Sequence, residues 1–187
     1  MSKALIVYGT RYGATADTSE VIGDVLRQKG FEVRVIEAKM EKVRSISEFE
    51  LIIVGSGIRM GRWTKEPDKF LGKFQKDLSK KKLALFVCCG GAHPLTEGEE
   101  KSKEMEDAKR KYLEDKATEY NLNPIALGFF GGIYNFNNMS WFLRKTMSGV
   151  KSQLEEAGYK ETKSGIYDTR NLNTIHNWAK EVAKMVI

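Results

Sequence analysis

Five short apolar runs alternate with longer segments of helical periodicity, and this alternation constrains the fold more than any other feature of the chain. The runs are rich in Val, Ile, Leu and Phe, are bounded by turn residues, and cover 4–8, 31–36, 51–54, 83–89 and 124–130. Such runs are typical of parallel strands that helices cover on both faces. The pattern predicts an α/β fold with a doubly wound, five-stranded parallel sheet in the order 2-1-3-4-5.

Helices are predicted where apolar residues repeat with helical spacing. They lie around 18–26, around 70–78, at 99–120 and from Leu172 onward, and Gly30 ends the first of them. The last helix is expected to turn an apolar face inward, made of Leu172, Ile175, Trp178, Ala179, Val182 and Met185. The connection 38–50 is expected to carry at most a turn or two of helix.

Residues 131–165 do not fit the repeating units. They separate the fifth strand from the last helix and contain a helical segment of their own near 141–158. This stretch is too short to own a hydrophobic core, and a chain of 187 residues has the length of one ordinary domain. We therefore expect a single domain over residues 1–187, with an insertion at about 131–165.

Composition excludes several functional classes. Two adjacent cysteines, Cys88 and Cys89, cannot build a disulfide framework, and zinc-ligand spacing is missing, so no metal site is expected. We expect both to be small buried side chains and not a redox pair. No secretory pattern opens the sequence, and no apolar run approaches the roughly 18 residues of a membrane span. These features predict a cytoplasmic protein, with peripheral membrane association left open.

The net charge of +6 is concentrated in one segment. Residues 59–82 contain nine Lys or Arg and three acidic residues, so this segment accounts for the whole excess. The lysines from Lys73 to Lys82 are expected to lie on an exposed helix. Arg59, Arg62 and Lys65 instead follow the third strand, where a ligand is expected. Because no nucleic-acid-binding motif is present, nucleic acid is not expected as a partner.

The first strand is followed by a loop suited to a phosphate group. Ligands in such sheets bind beyond the carboxyl ends of the strands, and here Gly9-Thr10-Arg11-Tyr12-Gly13-Ala14-Thr15 leads directly into the first helix. Threonine hydroxyls and free helix N-terminal amides can hold a phosphate there. The loop is neither a P-loop nor a dinucleotide fingerprint, and it lacks the acidic cluster of a phospho-receiver domain. An ordinary strand–helix turn remains the alternative.

Two glycine-rich loops are expected beside this one. Residues 55–64 follow the third strand, and Cys89-Gly90-Gly91-Ala92 follow the fourth. Glycines allow the backbone to approach a flat ligand closely, and Met60 and Trp63 are candidates to cover a ring face. Three such loops around a phosphate site indicate a mononucleotide, with a flavin as the favoured ring.

The sequence resembles the flavodoxin family over essentially its whole length. Thr10-x-Tyr12-Gly13-x-Thr15 matches that family's T-x-[TSY]-G-x-T phosphate loop. The closest branch contains the flavodoxin-type, menaquinone-dependent protoporphyrinogen oxidases. The pieces that resemble it are the loop 56–61, the strand end Phe130-Gly131-Gly132 with its long insertion, and the closing segment with Tyr167-Asp168 and Trp178-Ala179.

The resemblance implies FMN as the cofactor and assigns three groups of binding residues. They are Thr10, Arg11, Tyr12, Gly13, Ala14 and Thr15 for the phosphate; Ser56, Gly57, Ile58, Arg59 and Met60 for one side of the isoalloxazine; and Cys89, Gly90, Gly91 and Ala92 for its pyrimidine edge. The third loop lacks the aromatic residue that often stacks on the flavin in this family, unless His93 serves. Trp63, Tyr134 and Trp141 are the candidate substitutes.

Two functions follow from the resemblance. As an electron carrier, the protein would pass electrons between redox partner proteins, and the flavin itself would carry the chemistry without a catalytic side chain. As an oxidase similar to the protoporphyrinogen oxidases, it would oxidise a small carboxylated substrate and pass the electrons to a quinone. The carrier is favoured because the sequence offers no identifiable general base or substrate-binding motif.

Overall fold

The computed structural model of the protein describes residues 2–92, 98–139, 141, 145 and 147–187. Its strands are β1 (Lys3–Gly9), β2 (Glu32–Glu37), β3 (Leu51–Arg59), β4 (Arg62–Trp63), β5 (Lys82–Cys88), β6 (Ala126–Phe130), β7 (Ile133–Asn135), β8 (Glu161–Lys163) and β9 (Ile166–Asp168). Its helices are α1 (Ala14–Gln28), α2 (Lys65–Leu78), α3 (Gly98–Lys109), α4 (Asp115–Glu119), α5 (Ser148–Glu156) and α6 (Leu172–Lys184). Along these residues, none of the helices combines the length and the apolar character needed to cross a membrane.

The main sheet has the predicted topology. Five parallel strands lie in the order β2-β1-β3-β5-β6, and the two-residue strand β4 pairs antiparallel to the end of β3. Counted without β4, this is the order 2-1-3-4-5 that the apolar runs predicted. The reversal of strand order falls between β1 and β3, so a crevice opens beyond the carboxyl ends of those strands.

Helices cover both faces of the sheet, as the apolar runs require. On one face α2 packs through Phe70, Leu71, Phe74 and Leu78, and Leu113 and Ala117 join the same cluster. On the other face α1 and α6 bury their apolar residues together. The inward face predicted for α6 is shorter than expected, because Leu172 and Met185 at its two ends are each 49% exposed. The sheet whose strand ends border the crevice is therefore packed between two apolar clusters.

Two connections have features that the sequence did not predict. Residues 38–50 contain turns and no helix. Ile46 and Phe49 are nevertheless buried in the core, so this irregular segment packs against the same face of the sheet as α2. The third helical segment begins at Gly98 and contains five residues of π-helix, Arg110–Glu114, between α3 and α4. The wider π turn carries the buried Leu113 and the half-buried Tyr112.

The insertion contains a small sheet that the sequence did not predict. Strands β7, β9 and β8 pair antiparallel in that order, and only β9 lies beyond the predicted boundary at 165. Tyr167 of β9 is fully buried and donates a hydrogen bond of 2.5 Å to Glu155 of α5. This contact fastens α5, the described part of the helix predicted near 141–158, to the small sheet.

Candidate functional site

The loop between β1 and α1 presents free backbone donors. Gly13 is the N-cap of α1 in the left-handed conformation (φ 93°), which glycine adopts without strain, and no side chain caps the helix. The Thr10 hydroxyl accepts a hydrogen bond of 3.0 Å from the Gly13 amide and closes the loop. The first amides of α1 thus have no partner among the described residues, and the helix dipole adds roughly half a positive charge there. This arrangement suits an anion.

A buried arginine fixes the first turn of α1 from behind. Arg170 follows β9 and donates two hydrogen bonds to the Asp168 carboxylate, at 2.9 and 2.6 Å. A third, of 3.1 Å, goes to the Ala14 carbonyl in the first turn of α1. The Arg170 side chain is only 8% exposed. The insertion is thus joined directly to the phosphate loop, a contact for which the sequence carries no local signal.

The Asp168 carboxylate is held ionised by this contact. Burial acts to raise its pKa, but the hydrogen bonds and the charge of Arg170 outweigh burial and bring the pKa below its ordinary value. The ion pair therefore persists through the neutral pH range. It keeps the Arg170 guanidinium in place against the first turn of α1.

The loop after β3 is a tight hairpin. Met60 and Gly61 both have left-handed φ angles, 49° and 72°, and Arg59 pairs with Arg62 across the turn. Both central residues of a type I′ hairpin turn need such angles. Arg59, Met60 and Arg62 are exposed as a result. The hairpin carries its charges to the rim of the crevice.

Ser56 and Trp63 stabilise this hairpin and do not reach a ligand. The Ser56 hydroxyl is fully buried and accepts a 2.9 Å hydrogen bond from the Thr64 amide at the start of α2. The Trp63 indole packs in the core and donates a 2.7 Å hydrogen bond to the Tyr112 carbonyl. Trp63 is therefore not the aromatic cover over the crevice that its sequence position suggested.

The two cysteines lie at the end of β5, and both are buried and outside any disulfide. Burial raises the pKa of Cys88 to about 11, and the hydrogen bond to the Thr18 hydroxyl, 3.5 Å away, offsets only part of this increase. The Cys88 thiol is consequently protonated at neutral pH. It lines the crevice as a small neutral surface.

Tyr134 of the insertion covers the opposite side. A Cβ placed on Gly90 would lie 2.0 Å from the Tyr134 hydroxyl oxygen, so the phenol rests directly on this glycine. Its ring stacks on Phe136 with 6.5 Å between centroids. Burial, followed by the neighbouring Cys89, raises the pKa of Tyr134, which stays protonated. Trp141, another candidate, is exposed beneath the Lys145 ammonium, and His93 lies outside the described residues.

These loops enclose a cavity of about 480 Å³, within the usual range for small-molecule sites. Eleven of the fifteen sequence-predicted residues line it: Thr10, Arg11, Tyr12, Ala14, Thr15, Gly57, Ile58, Arg59, Met60, Cys89 and Gly90. Gly13, the N-cap of α1, is not among the lining residues, and Ser56 and Ala92 are buried in the protein. Gly91 belongs to the short 3-10 turn Gly90–Ala92 and is not part of the described wall.

Residues that the sequence did not assign complete the wall. Cys88 and four residues of the insertion's beginning and middle, Gly132, Ile133, Met139 and Met147, line the cavity together with Tyr134. The wall is mostly apolar apart from the phosphate loop and Arg59. A flat ring with an anionic tail therefore fits the residues present: free amides lie at one end and apolar surfaces along the sides.

Comparison with known proteins agrees with this geometry. A family model for the flavodoxin domain matches residues 5–162. No curated protein matches the chain.

Solved structures share the fold at low identity. A flavodoxin from the domain Archaea is 19% identical with a TM-score of 0.56 and 98% of each chain covered. A short-chain flavodoxin associated with a non-canonical PDU bacterial microcompartment is 13% identical, with a TM-score of 0.59 and both chains fully covered. Rubredoxin oxygen:oxidoreductase of Desulfovibrio gigas is 15% identical with a TM-score of 0.54; 99% of this chain matches 37% of that one.

Proposed function

The chain belongs to the flavodoxin domain family, and from this premise we propose that it binds FMN and carries electrons between redox partners. When bound, the flavin supplies the redox chemistry by accepting and releasing electrons, while the protein tunes it by charge and hydrogen bonding. The observation that carries the proposal is the pairing of the uncapped start of α1 with the mostly apolar cavity beside it.

Each group of lining residues has a distinct part in holding the cofactor. Thr10, Thr15 and the amides at the start of α1 would bind the phosphate, with Gly13 fixing the turn. The β3–β4 hairpin and the end of β5 would border the ring, and Tyr134 would exclude water from one side of it. Arg59 would place a positive charge near the ring, which favours the more negatively charged reduced cofactor and raises its reduction potential.

The composition of the wall favours a carrier over an oxidase. No His, Asp, Glu or Lys is among the described residues that line the cavity. Cys88 and Tyr134 both have raised pKa values and hold their protons at neutral pH. An enzyme that removes hydrogen from a carbon substrate usually needs a positioned base, whereas an electron carrier needs none.

The oxidase remains a second candidate because cations flank the cavity. Arg59, Arg62 and Lys65 could bind the carboxylates of a substrate such as protoporphyrinogen. This function rests on the sequence resemblance to that branch and on these charges. A quinone would then accept the electrons.

Anaerobic stopped-flow mixing separates the two functions. Oxidised holoprotein should be reduced within seconds by a reduced ferredoxin. When it is mixed with protoporphyrinogen instead, its flavin absorbance should stay unchanged over the same time. Rapid bleaching by protoporphyrinogen, together with slow reduction by the ferredoxin, would establish the oxidase instead.

A further inference from the structure

A second cavity of about 860 Å³ borders the proposed FMN site. It opens between the phosphate loop, the turn after β2 and the β3–β4 hairpin. The two cavities share Thr10, Arg11, Arg59 and Met60 as a common wall. Whatever occupies the second cavity therefore lies one layer of residues from the proposed flavin.

Five cations surround this second cavity, which we call the cationic cavity: Arg11, Lys39, Arg59, Arg62 and Lys65. All five are exposed, and none forms an ion pair or a side-chain hydrogen bond with another described residue. Their situation contrasts with that of Arg170 and Lys116, which are paired with carboxylates. Two half-buried acids, Glu37 and Glu66, also line the cavity, so its charge is +3.

The form of the cationic cavity suits a protein surface better than a small molecule. Small-molecule sites are mostly enclosed and apolar, with a few converging polar groups. Here the charged groups are long exposed side chains spread around an open rim. Met60 stands on that rim with 88% of its surface exposed, which gives an apolar contact inside a ring of charge. Exposed complementary charges steer partners and set their orientation.

We infer that the cationic cavity and Met60 form the docking surface for an acidic redox protein, one that presents carboxylates around its electron-transfer centre. The inference rests on the proposed function. In each encounter one electron leaves the reduced centre of the partner, which is oxidised, and enters this protein, which is reduced. The partner's carboxylates pair with cations that have no partner within the described chain, and its centre is held beside the common wall.

Two charge-reversal variants, one in the cationic cavity and one elsewhere as its control, test the location of the docking surface. Lys39→Glu with Arg62→Glu and Lys65→Glu changes residues that line only the cationic cavity and leaves the FMN wall intact. The matched control is Lys76→Glu with Lys80→Glu and Lys82→Glu, three exposed lysines of the same segment. Lys76 lies about 16 Å along α2 from Lys65. Both triple variants reduce the formal net charge from +6 to zero, since each substitution changes it by two.

The probe is a reduced, acidic plant-type [2Fe–2S] ferredoxin, mixed with FMN-loaded protein over a range of salt concentrations. With the natural sequence the second-order rate constant should fall as salt rises. The cavity variant should lose about tenfold or more at low salt and much of its salt dependence. The control should stay within about twofold of the natural protein. Equal losses in both variants, or none in either, would overturn the inference.

A binding measurement separates this inference from the proposed function. Oxidised ferredoxin added to ¹⁵N-labelled protein, with or without FMN, should shift the backbone amide signals of Lys39, Arg62 and Lys65, exposed residues that line the cationic cavity. If FMN does not bind, the proposed function fails while this titration still reports docking. Shifts produced equally well by millimolar citrate at constant ionic strength would show a small-carboxylate site and contradict protein docking.

Discussion

Replacing Arg170 with glutamine is expected to destabilise the protein by about 2–3 kcal/mol and to weaken FMN binding more than riboflavin binding. The substitution removes the two hydrogen bonds to Asp168 and the bond to the Ala14 carbonyl. Removing one partner of a buried ion pair costs about 3–5 kcal/mol. The Asp168 side chain is 28% exposed, so water can solvate the unpaired carboxylate and reduce the loss of stability to the range given above.

Urea unfolding measures this loss of stability, and Arg27→Gln is the matched control. Arg27 lies at the other end of α1 and pairs with Asp24 at 2.8 Å, but both side chains are largely exposed. An exposed pair of this kind contributes at most about 0.5 kcal/mol. If Arg170→Gln cost no more than Arg27→Gln, the buried contact would not stabilise the fold as described.

The comparison of FMN with riboflavin tests the functional part of the reasoning. Arg170 donates a hydrogen bond to the Ala14 carbonyl and so fixes the first turn of α1, whose amides would bind the phosphate; its loss should therefore affect the phosphate and not the ring. We expect FMN affinity to fall about tenfold, which corresponds to 1.4 kcal/mol, and riboflavin affinity to change by less than about twofold. Equal losses for the two ligands would mean that Arg170 supports the whole site and does not act on the phosphate loop.

Three further predictions follow from contacts within the site. Asp168 has a folded-state pKa below its ordinary value, so its contribution to stability is present at neutral pH and lost as the pH falls through that lowered pKa. The unfolding free energies of the natural protein and Asp168→Asn should therefore differ at neutral pH and converge in acid, and a difference that stays constant with pH would contradict this. Gly90→Ala should displace Tyr134 and weaken FMN binding in a fluorescence titration, because the new Cβ would lie 2.0 Å from the phenol oxygen. Adding Tyr134→Phe should restore part of the FMN affinity. If the double variant recovered no affinity, the contact between Gly90 and Tyr134 would be refuted. Met60→Asn should raise the unfolding free energy by about 0.5–1 kcal/mol, since asparagine tolerates the left-handed φ of 49° better and little buried surface is lost. A lower unfolding free energy in urea would instead show that the Met60 side chain makes a stabilising contact.

Features with a local sequence signal could be predicted. The sheet order follows from five apolar runs and the limited topologies of right-handed crossovers. The loop between β1 and α1 carries its threonines and glycine within six residues, so the sequence shows this motif directly. A local sequence pattern does not show whether a side chain faces a ligand site or packs in the core. Trp63 follows a loop at the crevice, and only the fold shows that its indole turns into the core toward Tyr112.

The insertion shows the limit of sequence patterns most clearly. Its strands are three residues each, too short for an alternation of apolar and polar residues to be recognised. Arg170 bonds to Ala14 across 156 residues of sequence, a distance that no local motif spans. Met139 and Met147 likewise reach the cavity only because the small sheet and α5 position the insertion against the main sheet. Both methionines line the cavity, and neither has a sequence signal of its own.

The most direct test of the account is a fluorescence titration of FMN with the purified protein, repeated with riboflavin. We predict one FMN per chain, quenched on binding, with a dissociation constant of about 1 μM or lower. Riboflavin should bind at least about tenfold more weakly, because it lacks the phosphate that the start of α1 is arranged to hold. Absence of FMN binding would contradict the proposed cofactor site, and equal affinity for the two flavins would contradict a phosphate site at the start of α1.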